Sequence, residues 1–262
     1  MDKMAVYNRL PVFAQNWACS VEGARIARTR FGSLFRRTLQ DYEARSRWSS
    51  ERIAAYRDER LRAMVKYCYD TVPYYRAMFD EGGIDPASIK SLDDMGRLPL
   101  LTKKEVNENP ERFFSTAYRG KRIKHHTSGT TGSGFVFYTS PEAICEQWAC
   151  WWRFREALGI EFGTSQAMFG TQKVVPAIQA APPYWRENRP GNQVYFSAFH
   201  ESEGNLAEYC EEIKRRRIPW IHGYPSACPR SSVCCEERGE LPLCSIRHHW
   251  SGKSLRSPSG AC

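Results

Sequence analysis

The sequence predicts an α/β fold in which a helical N-terminal region precedes a layered arrangement of strands and helices. Two observations support this prediction. Apolar residues recur at spacings of three and four within the first 115 residues, which is typical of helices packed on one face. Beyond that point, short runs rich in aromatic and β-branched residues alternate with helical segments, which indicates a sheet covered by helices.

The N-terminal region is expected to consist mostly of short helices. Apolar residues at helical spacing predict one helix over 51–69, and Val72-Pro73 ends it because the residue before proline is displaced from helical geometry. A shorter helix over 74–81 stops at Gly82-Gly83. Thr102-Lys103-Lys104-Glu105 has the spacing of a capping box and predicts another helix start.

The second part of the chain is expected to form the sheet. Ser140 as N-cap and Pro141 as first residue open a helix to about residue 158. A second helix covers 205–217, and strands are predicted at 135–139, 166–170, 193–199 and 219–222. We therefore divide the chain into a helical region 1–115, a partial α/β nucleotide-binding region 116–250 and an irregular tail 251–262.

Composition excludes several classes of protein. The 262 residues contain 10 cysteines, far below the density of a disulfide-stabilised secreted domain. The chain has no run of 18 apolar residues, and Arg9 and Pro11 interrupt the apolar stretch that a signal peptide needs. The expectation is a cytoplasmic protein with reduced cysteines.

Positive charge is concentrated near the N-terminus. Residues 1–62 contain 13 Lys and Arg against 7 Asp and Glu, so 13 − 7 = +6 of the net +9 lies there, with aromatic residues interleaved. Such a segment is compatible with three interpretations: peripheral contact with an anionic membrane, contact with nucleic acid, or a solvated helical face without a partner. It carries no specific nucleic-acid motif, so no specific nucleic-acid partner is expected.

The strongest local motif is a loop over 125–134. It holds Ser, Thr and Gly in a run that can turn sharply and present amides and hydroxyls together, as phosphate oxygens require. Lys121, Arg122 and Lys124 add positive potential just upstream. A simple hairpin turn remains an alternative. A nucleoside-triphosphatase P-loop is excluded, because Phe135 occupies the position at which that motif requires a lysine.

These residues resemble a known family. Thr127 to Gly132 is similar to the phosphate loop of adenylate-forming enzymes. The flanking segments resemble phenylacetate–CoA ligase-like proteins, and the N-terminal pattern is most similar to their CapK-like branch, which is linked to capsular polysaccharide biosynthesis. The segments that carry the resemblance are Leu10-Pro11, Arg30-Phe31-Gly32, Val72-Pro73-Tyr74-Tyr75-Arg76, Gly83-Ile84-Asp85-Pro86, Leu98-Pro99-Leu100-Leu101-Thr102-Lys103 and Gly223-Tyr224-Pro225-Ser226.

The resemblance implies the first part of an adenylate-forming ligase N-terminal domain. Such ligases use ATP to convert a carboxylic acid into an acyl-adenylate, with Mg²⁺ on the phosphates, and coenzyme A then displaces AMP. The phosphates would be held by Thr127, Ser128, Gly129, Thr130, Thr131 and Gly132. The substrate or adenylate pocket would contain His126, Tyr224, Pro225 and Ser226. The resemblance assigns no catalytic residue and does not identify the carboxylate.

Departures from the family pattern create a second hypothesis. Relatives usually have a small residue, then Gly or Ala, then Glu, where this chain has Ser251-Gly252-Lys253. Lys253 therefore occupies the position of the Glu. Gly134 replaces a proline that is common at the end of the loop. The segments that follow in relatives, including the C-terminal domain, are absent, so the chain is expected to be truncated and weak or inactive. The alternative is a non-catalytic remnant or basic surface-binding module linked to polysaccharide biosynthesis. An incomplete sheet would also favour association into oligomers.

Two further clusters have ordinary explanations. Cys228, Cys234, Cys235 and Cys244 lack the paired C-x-x-C spacing of a structural zinc site, so no metal site is predicted. The aromatic run from Trp148 to Phe154 is expected to pack in a helix core rather than to form a pocket wall.

Overall fold

The computed structural model describes residues 3–127, 134–170 and 172–223. Two compact units are present. The first joins Met1–Thr29 to the chain from Phe154 onward, and the second is formed by Arg30–Arg153. Helices dominate as far as residue 113 and strands begin at residue 123, yet each unit contains both. The boundaries of the compact units therefore do not coincide with the point in the sequence where helices give way to strands.

The described residues contain eight α-helices and six strands. The helices are α1 (Lys3–Tyr7), α2 (Val12–Arg30), α3 (Ser33–Arg45), α4 (Ser50–Thr71), α5 (Pro73–Glu81), α6 (Lys103–Glu108), α7 (Pro141–Glu156) and α8 (Glu203–Arg215). The strands are β1 (Ile123–His126), β2 (Val136–Thr139), β3 (Gln166–Gly170), β4 (Trp185–Asn188), β5 (Gln193–Ser197) and β6 (Trp220–Gly223). In the described part of the chain, none of the helices has the length and apolar character required to cross a bilayer.

Helix α4, with 22 residues, confirms the helix predicted over 51–69. Helix α2, with 19 residues, is a second long helix that was not predicted. The reason α2 escapes sequence analysis is that its buried face is polar: Gln15 is only 2% exposed, while Phe13 and Trp17 point outward. Apolar periodicity therefore does not mark this helix.

The corner between α4 and α5 confirms the predicted helix boundary at Val72-Pro73. Val72 is buried, and the guanidinium of Arg76 donates to the carbonyls of Tyr69 and Asp70 at 3.2 and 2.9 Å. These bonds satisfy carbonyls at the end of α4 that have no helical partner. The segment that resembles the ligase family here is thus a structural corner of the second unit.

Both predicted helix starts are confirmed by their caps. The Thr102 amide donates to the Glu105 carboxylate at 2.8 Å, and the Glu105 amide donates back to the Thr102 hydroxyl at 3.3 Å. The Ser140 hydroxyl accepts from the Ala143 amide at 3.1 Å at the start of α7. Local sequence alone determines these contacts, because all partners lie within three residues.

The first unit is organised around a four-stranded sheet of order β4-β5-β3-β6. Strand β3 pairs in parallel with β5 and β6, and β4 pairs antiparallel with β5. Helix α8 packs on this sheet: the Tyr209 ring lies 6.0 Å from Phe169 and 5.1 Å from Phe196 between centroids. The predicted strands at β3, β5 and β6 are confirmed.

A buried arginine joins three segments of the first unit. Arg186 on β4 is fully buried, and its Nε donates to Gln15 of α2 at 2.6 Å. Its Nη2 donates to Gln179 at 2.6 Å, and its Nη1 donates to the carbonyls of Pro183 and Trp185 at 2.8 and 2.6 Å. Desolvation lowers the pKa of this guanidinium.

Candidate functional site

The Ser/Thr/Gly loop lies within a β-hairpin of the second unit. Strands β1 and β2 pair antiparallel, with His126 opposite Val136. The Thr127 amide donates to the Phe135 carbonyl at 2.9 Å, and the Phe135 amide donates to the Thr127 hydroxyl at 3.1 Å. Both ends of the loop are therefore tied together by one residue pair. Strand β1, which the sequence analysis missed, is the element that makes this closure.

The other predicted phosphate-binding residues, Ser128 to Gly132, lie outside the described residues. Their role stays a prediction. Gly134 is the first described residue after them, and a Cβ built on it would lie 3.1 Å from the Thr127 carbonyl oxygen. A side chain at 134 would therefore crowd the closing pair, which accounts for a glycine at this end of the loop.

The two histidines of β1 face opposite sides of the hairpin. His125 stacks on Phe137 at 5.0 Å, and its Nε2 lies 2.7 Å from the Thr139 hydroxyl. His126 and Lys124 lie on the opposite, exposed side. His125 thus has a structural role, whereas His126 is accessible next to the loop.

All three upstream basic residues are exposed and contribute positive potential near the hairpin, namely Lys121, Arg122 and Lys124. The Arg122 guanidinium also donates to the carbonyls of Ser115 and Tyr118, each at 3.2 Å, and lies 4.9 Å from the Phe114 ring. Because these partners are uncharged, Arg122 keeps its charge while it stabilises the chain that leads into the hairpin.

A second candidate region is the carboxyl edge of the parallel sheet in the first unit. Strands β3, β5 and β6 end there at Gly170, Ser197 and Gly223. Strands β5 and β6 lie on opposite sides of β3, so the strand order reverses next to β3. Such a topological switch point, at the carboxyl ends of the strands, is where ligands bind in open α/β sheets. A Cβ on Gly223 would lie 2.1 Å from the carbonyl oxygen of Phe169, so only glycine fits the end of β6.

A histidine at this edge escaped the sequence analysis. The Ser197 hydroxyl lies 2.7 Å from Nδ1 of His200, and the ring stacks on Tyr184 at 4.7 Å. The Tyr209 hydroxyl donates to the Ser197 carbonyl at 3.0 Å. The predicted strand over 193–199 actually ends at Ser197, and the turn after it brings His200 back to the strand end.

The hydrogen bond between Ser197 and His200 is compatible with both tautomers of the neutral ring. When the Ser197 hydroxyl donates to Nδ1, Nε2 carries the proton and is a donor; when Nδ1–H donates to the hydroxyl, Nε2 is an acceptor. Nε2 is buried, and no described residue forms a hydrogen bond with it. A buried polar atom without a partner costs about 1–3 kcal/mol, which a ligand that bonds to it would recover.

The remaining predicted site residues divide into two groups. Tyr224, Pro225 and Ser226 follow directly after β6 and lie outside the described residues, as does the cysteine-rich segment 228–244. In α7, Trp152 is buried, and the Trp148 ring packs edge-on against Phe31 at 5.9 Å. This packing confirms the expected core role of these two tryptophans. Within the described ranges, no three His, Cys, Asp or Glu side chains are grouped to hold a metal ion.

Comparison with known proteins finds similarity to the protein CapK and to phenylacetate-coenzyme A ligases. Over 226 residues the chain is 26% identical to the protein CapK of Staphylococcus aureus, a match that covers 86% of this chain and 49% of CapK. The chain is homologous to CapK. It is also 36% identical over 87 residues to the phenylacetate-coenzyme A ligase of Thermus thermophilus, covering 33% of this chain and 20% of that enzyme. The Escherichia coli phenylacetate-coenzyme A ligase is 32% identical over 102 residues, covering 38% of this chain and 23% of that enzyme.

Solved structures show the same fold. A 2-hydroxyisobutyryl-CoA ligase in the postadenylation state, in complex with 2-HIB-AMP, matches with a TM-score of 0.50 and 16% identity over 72% of this chain and 40% of the ligase. Its thioesterification state, with 2-HIB-AMP and CoA, also gives 0.50, with 18% identity over 73% and 41% of the two chains. The described architecture is consistent with a partial N-terminal domain of an adenylate-forming ligase. No family model matches the chain.

The chain spans about half the length of CapK and about two fifths of the solved ligase.

Proposed function

We propose that this chain takes part in the ATP-dependent activation of a carboxylic acid followed by transfer to coenzyme A. In the first step a carboxylate oxygen attacks the α-phosphorus of ATP, giving an acyl-adenylate and pyrophosphate. In the second, a thiol attacks the acyl carbon and AMP leaves. The observation that supports the proposal is the pair of hydrogen bonds between Thr127 and Phe135, which joins the two residues that flank the Ser/Thr/Gly segment beside a pair of antiparallel strands.

The loop's composition fits the phosphates of ATP. The Thr127 hydroxyl and the amides and hydroxyls of the segment 128–132 are groups that counter negative charge on phosphate oxygens, whereas the Thr127 amide is bonded to Phe135. Lys121, Arg122 and Lys124 are exposed cations just upstream of the loop. No step is assigned to Mg²⁺, because the described residues contain no cluster of carboxylate, His or Cys ligands that would hold it.

At the sheet edge, His200 is the residue whose chemistry suits the acid. Its Nε2 is buried without a described partner, and the ring is held in one orientation by Ser197 on the other nitrogen and by stacking on Tyr184. In the tautomer that carries the proton on Nε2, a carboxylate oxygen is an acceptor for that donor. We infer that His200 orients the carboxylate rather than transferring a proton.

The proposal is tested by ATP binding and by carboxylate-dependent ATP–pyrophosphate exchange with the 262-residue chain and a panel of aryl, aliphatic and amino acids. Thr127→Val removes the hydroxyl that accepts from Phe135, and we expect it to weaken ATP binding about tenfold, the loss of roughly one polar contact. Thr29→Val is the control, because it removes a hydroxyl that donates to the Arg25 and Ile26 carbonyls in α2, outside the loop.

The outcomes separate the two hypotheses. Exchange that requires both ATP and one class of acid supports ligase activity. ATP binding without any exchange supports the non-catalytic alternative. Absence of ATP binding, or equal binding by the Thr127→Val variant, contradicts the assigned phosphate site.

The histidines of the hairpin give a further matched pair. We expect His126→Ala to weaken nucleotide or acid binding while leaving the unfolding free energy unchanged within about 0.5 kcal/mol, because this residue is exposed. His125→Ala loses a hydrogen bond and a ring contact, so its unfolding free energy should fall by about 1–2 kcal/mol. Urea denaturation beside ATP titration distinguishes the two effects, and the reverse pattern would contradict the assigned orientations.

A further inference from the structure

Helix α2 has its polar side buried and its aromatic side exposed. On the inner side, Gln15 bonds to Arg186, and the Asn16 side chain accepts from the Glu187 amide at 2.9 Å. The Ser20 hydroxyl donates to the Glu187 carbonyl at 3.3 Å. A helix on a protein surface normally buries its apolar side instead. This arrangement therefore requires a separate reason for the apolar outer side.

The inner side is fixed at close range. A Cβ built on Gly23 would lie 1.8 Å from the Asn188 side-chain oxygen, so the helix approaches β4 at a point where only glycine fits. Together with the hydrogen bonds of Gln15, Asn16 and Ser20, this contact prevents α2 from rotating to bury its aromatic residues. The exposed side is thus a defined surface of the first unit.

The outer surface of α2 is apolar. Phe13, Trp17 and Val21 follow at spacings of four residues, which places them on one side of the helix, and they are 76%, 71% and 48% exposed. We call these three residues the α2 outer face. The residues before α2 also include exposed apolar side chains, Met4, Val6 and Leu10. Exposed aromatic residues in such a row mark an interaction surface.

The charges around this face are positive. Between residues 3 and 30 the sequence has five basic residues, Lys3, Arg9, Arg25, Arg28 and Arg30, and one acid, Glu22. That acid is paired with Arg25, whose Nε donates to it at 2.8 Å. Arg9 and Arg28 are exposed. Trp, Phe and Val flanked by arginines, with almost no acids, have the chemistry of a helix that lies at the surface of an anionic bilayer.

We propose that the α2 outer face binds an anionic membrane surface, with Phe13, Trp17 and Val21 inserted at the headgroup level and Arg9 and Arg28 on the lipid phosphates. Charge complementarity selects this occupant, because a neutral apolar partner would gain nothing from the surrounding arginines. The proposal is independent of the ligase activity, since α2 contains none of the residues assigned to it.

The test is flotation of the full 262-residue chain with vesicles of phosphatidylcholine alone or mixed with phosphatidylglycerol. We expect partitioning onto the anionic vesicles, reduced at least about tenfold in Phe13→Ser/Trp17→Ser. The Arg9→Gln/Arg28→Gln variant should partition onto anionic vesicles about fivefold more weakly for each arginine replaced, with no change on neutral vesicles. Leu100→Ser/Ile178→Ser is the matched control, because these residues are 93% and 90% exposed but lie elsewhere, and it should partition like the parent.

Each contrary result identifies a different error. Equal flotation of the Phe13→Ser/Trp17→Ser variant, or equal binding to neutral and anionic vesicles, overturns the proposal. A dimer detected by analytical ultracentrifugation that these two substitutions dissolve, without flotation of the parent, overturns it in favour of a second copy of the chain on this face. Far-UV circular dichroism and urea midpoints confirm that the variants are folded.

Discussion

The contact between Gln15 and Arg186 offers the sharpest test of how the first unit is held together. Gln15 is 2% exposed and makes three hydrogen bonds: its Oε1 accepts from Arg186 at 2.6 Å, and its Nε2 donates to the carbonyls of Tyr7 and Leu10 at 3.1 and 3.0 Å. Gln15→Leu keeps a similar volume and removes all three. The guanidinium Nε is then left buried without that acceptor.

The expected loss follows from the type of each bond. A hydrogen bond to a charged group contributes about 2 kcal/mol, and each neutral bond contributes about 1 kcal/mol. Burial of the leucine side chain returns about 1 kcal/mol. We therefore expect Gln15→Leu to lower the free energy of unfolding by about 3 kcal/mol.

Urea denaturation followed by far-UV circular dichroism measures this change, with attention to an unchanged m-value. Ser20→Ala on the same side of α2 is the control, because its two hydrogen bonds are both long, at 3.3 Å, and it should lose less than about 1 kcal/mol. A loss for Gln15→Leu no larger than that of the control would refute the view that Arg186 anchors the helix.

Two further predictions concern the same unit. Gly223→Ala places a Cβ against the Phe169 carbonyl and should lower the free energy of unfolding, measured by urea denaturation, by about 1–3 kcal/mol. Gly204→Ala is the control, because its Cβ meets open space, and it should change that free energy by less than about 1 kcal/mol. Equal stability of the two variants would contradict the close approach of β6 to β3. A hydrogen bond from Arg216 holds the pKa of Glu187 below its usual range. Because the folded pKa is lower than the unfolded value near 4.3, this stabilisation is complete above that pH and is lost as the pH falls through the folded pKa. Glu187→Gln should therefore flatten the fall of the urea midpoint below about pH 4, and an unchanged slope would contradict the pairing.

The elements that sequence patterns predicted are those with local signals. The caps at Thr102 and Ser140 involve partners within three residues, and strands β3 and β5 are runs of apolar residues in the core. Helix α2 and strand β4 carry no such signal. Their contact relies on Gln15 and Arg186, which are separated by 171 residues in the sequence. Gln and Arg are residue types usually found on the surface, so neither position is predicted to be buried from the sequence.

The candidate site follows the same rule. The composition of the loop after His126 was readable, but its closure required the carbonyl and amide of Phe135, which directly precedes a strand whose partner was not predicted. His200 was missed because its role depends on a turn that returns it to Ser197. A His directly after the predicted strand over 193–199 is the signal that could have identified it.

The discontinuity of the first unit has a consequence for biosynthesis. Translation proceeds at about 5–20 residues per second, so Gln15 emerges on the order of 10 to 30 seconds before Arg186, which lies 171 residues later. During that interval α2 lacks the strand that satisfies its polar side, while all of Arg30–Arg153 is synthesised. The hydrogen bond that anchors α2 in the first unit can therefore form only after every residue of the second unit has been made.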